Sequence, residues 1–284
     1  MGGEGVSSIV RAEHATLVAM RCRTAERSPA AAPGVETLAA TIGRQIGAQP
    51  RLIGSPQPPR EQSFQEDLAG SRGCLLEAGG QVEDALNAGA LPLLLAGDAA
   101  IALTTLPTVA RMHPDARVLW LDGHASFHTP STTPSGYLGG MALAGAAGLW
   151  DTGFDGHIPG ERIVLCGVRE MQEGERENLS RARVTVIGSS LETLVFMQNA
   201  LDGAPVYVHL DVDVMDPSTM PVSHAVKAGG GFDDGKLLDL LEALGESCDV
   251  IGIEVIGFEA THEGAEQAGL GAEVIAGVLD PLLP

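Results

Sequence analysis

Short apolar runs recur along this chain, separated by stretches whose apolar positions return at helical spacing. The runs at 16–20, 50–55, 91–95, 117–121, 163–168, 184–187, 206–210 and 250–255 predict seven or eight strands. Helical spacing predicts helices over 34–46, 79–90, from 99 onward, 138–149, 190–201 and 235–244. Segment 28–34 reads as a Pro/Ala loop, 56–72 as a polar surface excursion, and 229–231 as a glycine loop. Gly269-Leu270-Gly271 begins like a dinucleotide fingerprint but lacks its third glycine, and reads as a helix start. Strands alternating with helices argue for βαβ units. The expected fold is a three-layer αβα arrangement, a parallel sheet of about eight strands with helices on both faces. The continuous apolar character of several runs agrees, because strands of such a sheet are dry on both sides. No linker divides the 284 residues, so one domain over 1–284 is expected.

Charge narrows the partners. The chain carries 37 acids against 17 Lys and Arg, a net charge of −20. That balance repels phosphate backbones and anionic lipid, so neither nucleic acid nor membrane is an expected partner. No apolar run reaches bilayer length, and the first residues lack the basic and apolar regions of a secretory signal. Cys22, Cys74, Cys166 and Cys248 lie far apart with no C-x-x-C pair, and a chain of this size needs no disulfide framework. A reducing, cytoplasmic setting is the reading by elimination.

Candidate chemistry sits where two strand runs end. One reads Leu-Trp-Leu-Asp122-Gly-His124-Ala-Ser126-Phe-His128, the other Val-Tyr-Val-His209-Leu-Asp211-Val-Asp213-Val-Met-Asp216-Pro. Residues two apart on a strand share a face, so Asp122 with His124, and Tyr207, His209, Asp211 and Asp213 together, should project the same way. Open parallel sheets bind ligands at the carboxyl ends of their strands. Carboxylates with an imidazole suit a hard or borderline divalent ion such as Mn²⁺ better than a thiolate-seeking one.

The pair D-x-H and D-x-D-x-x-D-P resembles the ureohydrolase family, which contains arginase and agmatinase. The likeness covers most of the chain. Segment 94–100 is similar to the family's G-G-D-H-S stretch, 118–140 to the run from its aspartate–histidine motif to its substrate loop, and 250–255 to its last strand. The resemblance implies the arginase/deacetylase-like fold and metal-dependent hydrolysis of a guanidino C–N bond. It assigns Asp122, His124, Asp211 and Asp213 to one Mn²⁺ ion. It implies that Glu254 holds the cationic end of a small guanidino substrate, and that His128, Ser135 and Glu175 meet its amino-acid end. His128 is also a candidate acid–base group, and His209 and His224 are expected to border the same pocket.

Three positions depart from the family pattern. Ala99 and Ser126 stand where the family has a His and an Asp for a second ion, and Gly139 where it has a proton-shuttling His. The resemblance therefore implies one manganese ion, as in the related deacetylases, and weak or absent arginase activity. Tyr137 and Gln172 also replace family residues. A divergent metallohydrolase is the leading expectation. The rival is a catalytically silent homologue acting by binding or assembly, and homo-oligomers are common in the family.

Overall fold

The computed structural model describes residues 12–220, 229–261 and 264–284. Eight strands form one parallel sheet: β1 (Ala15–Met20), β2 (Arg51–Ile53), β3 (Leu91–Leu95), β4 (Arg117–Leu121), β5 (Ile163–Cys166), β6 (Thr185–Ile187), β7 (Val206–Asp211) and β8 (Val250–Ile256). Their order is β2-β1-β3-β8-β7-β4-β5-β6. The last two strands thus slot between β3 and β4. That insertion brings the ends of β3, β8, β7 and β4 side by side.

Among the described residues seven α-helices connect the strands and an eighth follows the last: α1 (Ala31–Gln45), α2 (Phe64–Asn87), α3 (Ala102–Met112), α4 (Ala142–Ala146), α5 (Glu173–Ala182), α6 (Thr193–Leu201), α7 (Asp234–Ser247) and α8 (Ala265–Leu279). Alternation along each strand sends side chains to two separate cores. Leu93, Leu119, Val208 and Leu210 pack with Leu38 of α1, Met197 of α6, Leu237 of α7 and Ile275 of α8. Leu94, Val118, Trp120 and Tyr207 pack with Val82 of α2, Leu106 of α3, Leu143 of α4 and Leu179 of α5. The sheet is covered on both faces, as the strand composition implied.

Several local expectations are corrected. Segment 56–72 is not all loop: α2 begins at Phe64. Ser63 and Glu66 form a reciprocal capping box there, a start signal present in the sequence as S-x-x-E. α5 was not foreseen, and its start is another capping box, between Gln172 and Glu175. The helix expected over 138–149 shrinks to a 3₁₀ turn, Gly139–Met141, and the short α4. The chain then turns at Gly148, whose φ of +78° suits glycine. α8 starts before the Gly269 segment. Cys22, just after β1, is disulfide-bonded to Cys74 of α2, which their wide spacing did not indicate. Cys166 and Cys248 are free and buried.

Candidate metal centre and its cavity

β4, an interior strand, ends at Leu121 and delivers Asp122 to the carboxyl end of the sheet. Its carboxylate is held from three sides. Oδ1 accepts the His124 amide (2.7 Å), and Oδ2 accepts Trp120 Nε1 (2.8 Å) and Ser126 Oγ (3.2 Å). Asp213 Oδ1 accepts the Gly123 amide at 2.8 Å, and Oδ2 lies 2.8 Å from His124 Nδ1. Asp122, His124 and Asp213 each present a ligand atom, all within 4.8 Å of one another. Three of the four expected ligands therefore converge.

Asp211 stands beside them, outside that group. As the last residue of β7 it accepts the Asp213 amide on Oδ1 (2.8 Å). It also packs against Gly257, where a Cβ would lie 2.4 Å from Oδ1. The expectation that strand alternation carries both Asp211 and Asp213 is corrected. The strand stops at Asp211, and a 3₁₀ turn, Val212–Val214, swings Asp213 toward His124.

The electrostatics follow from crowding carboxylates away from water. Burial, then the neighbouring Asp213, pushes Asp122 up to about 8. Asp211 is driven well above the usual carboxylate range by burial and by Asp213 and Asp122. Burial pulls His124 down, but Asp213, Asp122 and Glu170 more than offset it and lift the imidazole to about 9. For Asp213, burial is overcome by the His124 contact, which holds the carboxyl below its ordinary value. A cluster this negative calls for a cation. Its oxygen-plus-imidazole donor set fits a hard or borderline divalent ion.

The cluster opens into a cavity of about 770 Å³. Ala99, Ser126, His128, Ser135, Gly139 and Glu175 all line it with the candidate ligands, so most of the expected site residues share one space. Among the described residues, His128 Nε2 is buried without a hydrogen-bond partner, 3.6 Å from Glu175 Oε2. Glu175 is largely committed to structure: Oε1 accepts the Phe127 amide and Oε2 the Gln172 amide. His224 lies outside the described residues.

Glu254, expected to hold the substrate's cationic end, lies beneath the cavity. It is fully buried and off the cavity wall. Oε2 accepts Thr105 Oγ1 (2.7 Å) and the Tyr207 hydroxyl (3.0 Å), and Oε1 lies 2.5 Å from His209 Nδ1. His209 in turn stacks on Trp120 at 3.4 Å between centroids, the rings 3° from parallel. The network runs through Trp120 to Asp122, so His209 borders the centre from below instead of entering the cavity.

Other wall residues escaped the sequence reading of roles. The Tyr137 hydroxyl donates to Asp98, whose other oxygen accepts the Ala100 amide. The Tyr137 ring leaves no room at Gly139, where a Cβ would meet it and Asp98 Oδ1 at 2.9 Å. Glu26, on the β1–α1 loop, is pushed up to about 7 by burial and by Asp98. Arg27 lies over the Tyr137 ring, 4.7 Å from its centroid. Only Asp98 stood in a recognisable motif. Nothing local in the sequence marks Glu26 or Arg27.

Fold and site together define an open parallel α/β protein with a carboxylate–imidazole centre at its strand ends. Residues 65–279 match the arginase family, and the chain belongs to that family. It is 34% identical over 273 residues to an N(omega)-hydroxy-L-arginine amidinohydrolase of Streptomyces lavendulae, covering 94% of this chain and 96% of the relative. Among solved structures it resembles an Entamoeba histolytica arginase in complex with L-ornithine (TM-score 0.82, 18% identity, 96% of this chain and 99% of that one). A Bacillus subtilis arginase is similar too (TM-score 0.79, 19% identity, 95% and 98% covered). At those identities the structures speak for the fold alone.

Proposed function

We propose that the protein is a hydrolase cleaving a C–N bond of a small, linear guanidino compound at a centre for one Mn²⁺ ion. The convergence of Asp122, His124 and Asp213 on the floor of an acidic cavity carries this reading. Asp211, beside that group, would be the fourth donor. A divalent ion held there supplies Lewis acidity and makes water a competent nucleophile near neutral pH.

The chain's own groups do the rest. Glu170, Glu175 and Glu259 on the cavity wall give it a negative potential that draws in a guanidinium. Ser135 and His128 border the region for the substrate's carboxylate. His128, with its unpartnered Nε2, is the group able to exchange a proton with the leaving amine. Water adds to the guanidinium carbon, the C–N bond to the chain nitrogen breaks, and the amine departs with a proton. With N(omega)-hydroxy-L-arginine, the compound in the Streptomyces relative's name, the products are ornithine and hydroxyurea. Ala99, Ser126 and Gly139 offer no replacement for a second ion's ligands or a proton shuttle, so turnover is slow.

One observation favours a second reading, a silent family member. Glu254, the residue the resemblance assigns to the substrate cation, is saturated by Thr105, Tyr207 and His209. Elemental analysis and turnover separate the readings. The hydrolase reading expects about one Mn per chain and ornithine from N(omega)-hydroxy-L-arginine. Asp213→Ala should lose the metal, because it removes a ligand and the partner of His124 together. Metal content near zero after Mn²⁺ loading refutes both the centre and the hydrolase. Metal without turnover selects the silent member.

A further inference from the structure

The segment that follows β5 lies between the two pieces of chain that carry the candidate ligands. Gly167 brings it close, since a Cβ there would lie 2.5 Å from Val214 Cγ2. The amides of Arg169 and Glu170 both donate to the Gly123 carbonyl, at 2.8 and 3.0 Å. The Arg169 guanidinium reaches the other way. Nη2 donates to the carbonyls of Asp213 (2.6 Å) and Met215 (3.3 Å), and Nη1 to that of Val214 (2.9 Å). These carbonyls end the 3₁₀ turn Val212–Val214, which is too short to supply donors for them itself. The Gly123 amide in turn donates to Asp213 Oδ1 at 2.8 Å. The contacts close a ring: the Arg169 backbone to Gly123, Gly123 to the Asp213 carboxylate, and the Asp213 carbonyl back to the Arg169 side chain. The ring adjoins the contact between His124 Nδ1 and Asp213 Oδ2, 2.8 Å apart. Arg169 does not line the cavity.

We infer that Arg169 is a positioning residue for the divalent-ion centre, clasping the turn that carries Asp213 to the loop that carries Asp122 and His124. The inference rests on the reading of those residues as a metal centre and deepens it; it does not depend on turnover. β4 and β7 are paired only as far as Leu121 and Leu210. Beyond that point His124 and Asp213 ride on chain that has left the sheet, so their spacing depends on bonds between the two segments. A guanidinium suits the task, because its planar fork of donors spans several carbonyls at once, whereas an ammonium is a point charge. Without the fork the turn drifts, and Asp213 is misplaced against His124.

The test is calorimetric titration of the metal-free full chain with Mn²⁺, with the electron paramagnetic resonance spectrum of the bound ion recorded alongside. Arg169→Gln should bind Mn²⁺ about 10- to 100-fold more weakly than the wild type, the scale of losing a group that orients a ligand. Arg169→Lys, which keeps the charge but not the fork, should fall between, at least about 3-fold weaker than the wild type. The Lys variant decides alone if the Gln variant fails to fold. In both, the spectrum of the bound ion should differ from that of the wild type. Ser63→Ala, which removes the cap of α2, is the control for destabilisation by itself. It should lower the urea midpoint and leave Mn²⁺ affinity within about 2-fold. The inference is overturned if either folded Arg169 variant binds Mn²⁺ with wild-type affinity, or if Ser63→Ala weakens Mn²⁺ as much. It is overturned too if weaker binding comes with an unchanged spectrum, which marks lost folded protein instead of a moved ligand. A wild type that takes up no Mn²⁺ removes the metal centre and the clasp together. A wild type that binds Mn²⁺ beside unaffected Arg169 variants keeps the centre and loses the clasp alone.

Discussion

At the scale of single residues, the centre depends on hydrogen bonds that aim each carboxylate. Asp122 is oriented by Trp120, Ser126 and the His124 amide, and Asp213 by the Gly123 amide. Such partners fix ligand geometry as firmly as the ligands fix an ion. Glu254 shows how one neighbour changes a role. His209, Tyr207 and Thr105 occupy its acceptor sites inside the sheet. Glu254→Gln should thus cost about 1–3 kcal/mol of stability, the penalty for mismatching a buried hydrogen-bond network. It should leave L-arginine binding nearly unchanged. Urea denaturation reads the first and calorimetry the second. A large loss of binding at unaltered stability would return Glu254 to the substrate.

At the scale of elements, two cross-links join the β1–α1 loop to α2. One is the Cys22–Cys74 disulfide; the other is a buried ion pair, Arg23 Nη1 to Asp67 Oδ1, at 2.7 Å. That loop carries Glu26 and Arg27, so α2 steadies one wall of the cavity although it reaches no ligand itself. The disulfide closes a separation of 52 residues, worth about 4 kcal/mol in a chain-entropy estimate. Adding a reductant should lower the urea midpoint correspondingly. Thiol titration in denaturant without reductant should find two reactive cysteines, Cys166 and Cys248. Four would show that the bond is absent. α2 also shows where reading by pattern stopped short. A capping box at Ser63 was visible, but glycines at 70, 73, 79 and 80 masked the helix behind it. Gly79 sits close against α3, since a Cβ there would lie 3.1 Å from Thr104.

At the scale of the whole molecule, the buried charges give the metal-free protein an unusual pH dependence. Asp122 is held at about 8 against an ordinary 3.8, Glu26 at about 7 against 4.5, and His124 at about 9 against 6.5. Each binds its proton in the folded chain where the unfolded chain has released it, so folding takes up protons. Their contribution is complete below the unfolded values and is lost as pH rises through the folded ones, from about pH 4 to about pH 9. Asp213, held low, acts in the opposite sense and only below its ordinary 3.8. The net charge of −20 adds self-repulsion in the same direction as pH rises. In the presence of a chelator the urea midpoint should therefore be higher at pH 5 than at pH 8. Mn²⁺ should narrow or reverse the difference, because its ligands must be deprotonated. A chelated protein more stable at pH 8 contradicts the buried proton inventory.

The sequence alone determined the alternation of strands and helices, the parallel class of the sheet, and the motifs that bring Asp122, His124, Asp211 and Asp213 to strand ends. These are readable because side-chain direction along a strand and the order of neighbours in a motif are local properties of the chain. The tertiary structure decided that Asp213 arrives on a turn while Asp211 stands aside, and that His209 closes over Glu254 between β4 and β8. It also decided that Tyr137, Asp98 and Arg27 build one wall and that Cys22 meets Cys74. Each of these joins residues separated by tens to more than a hundred positions. The first two follow from the insertion of β8 and β7 between β3 and β4, and the others from loops and α2 meeting across the fold; no local pattern carries either.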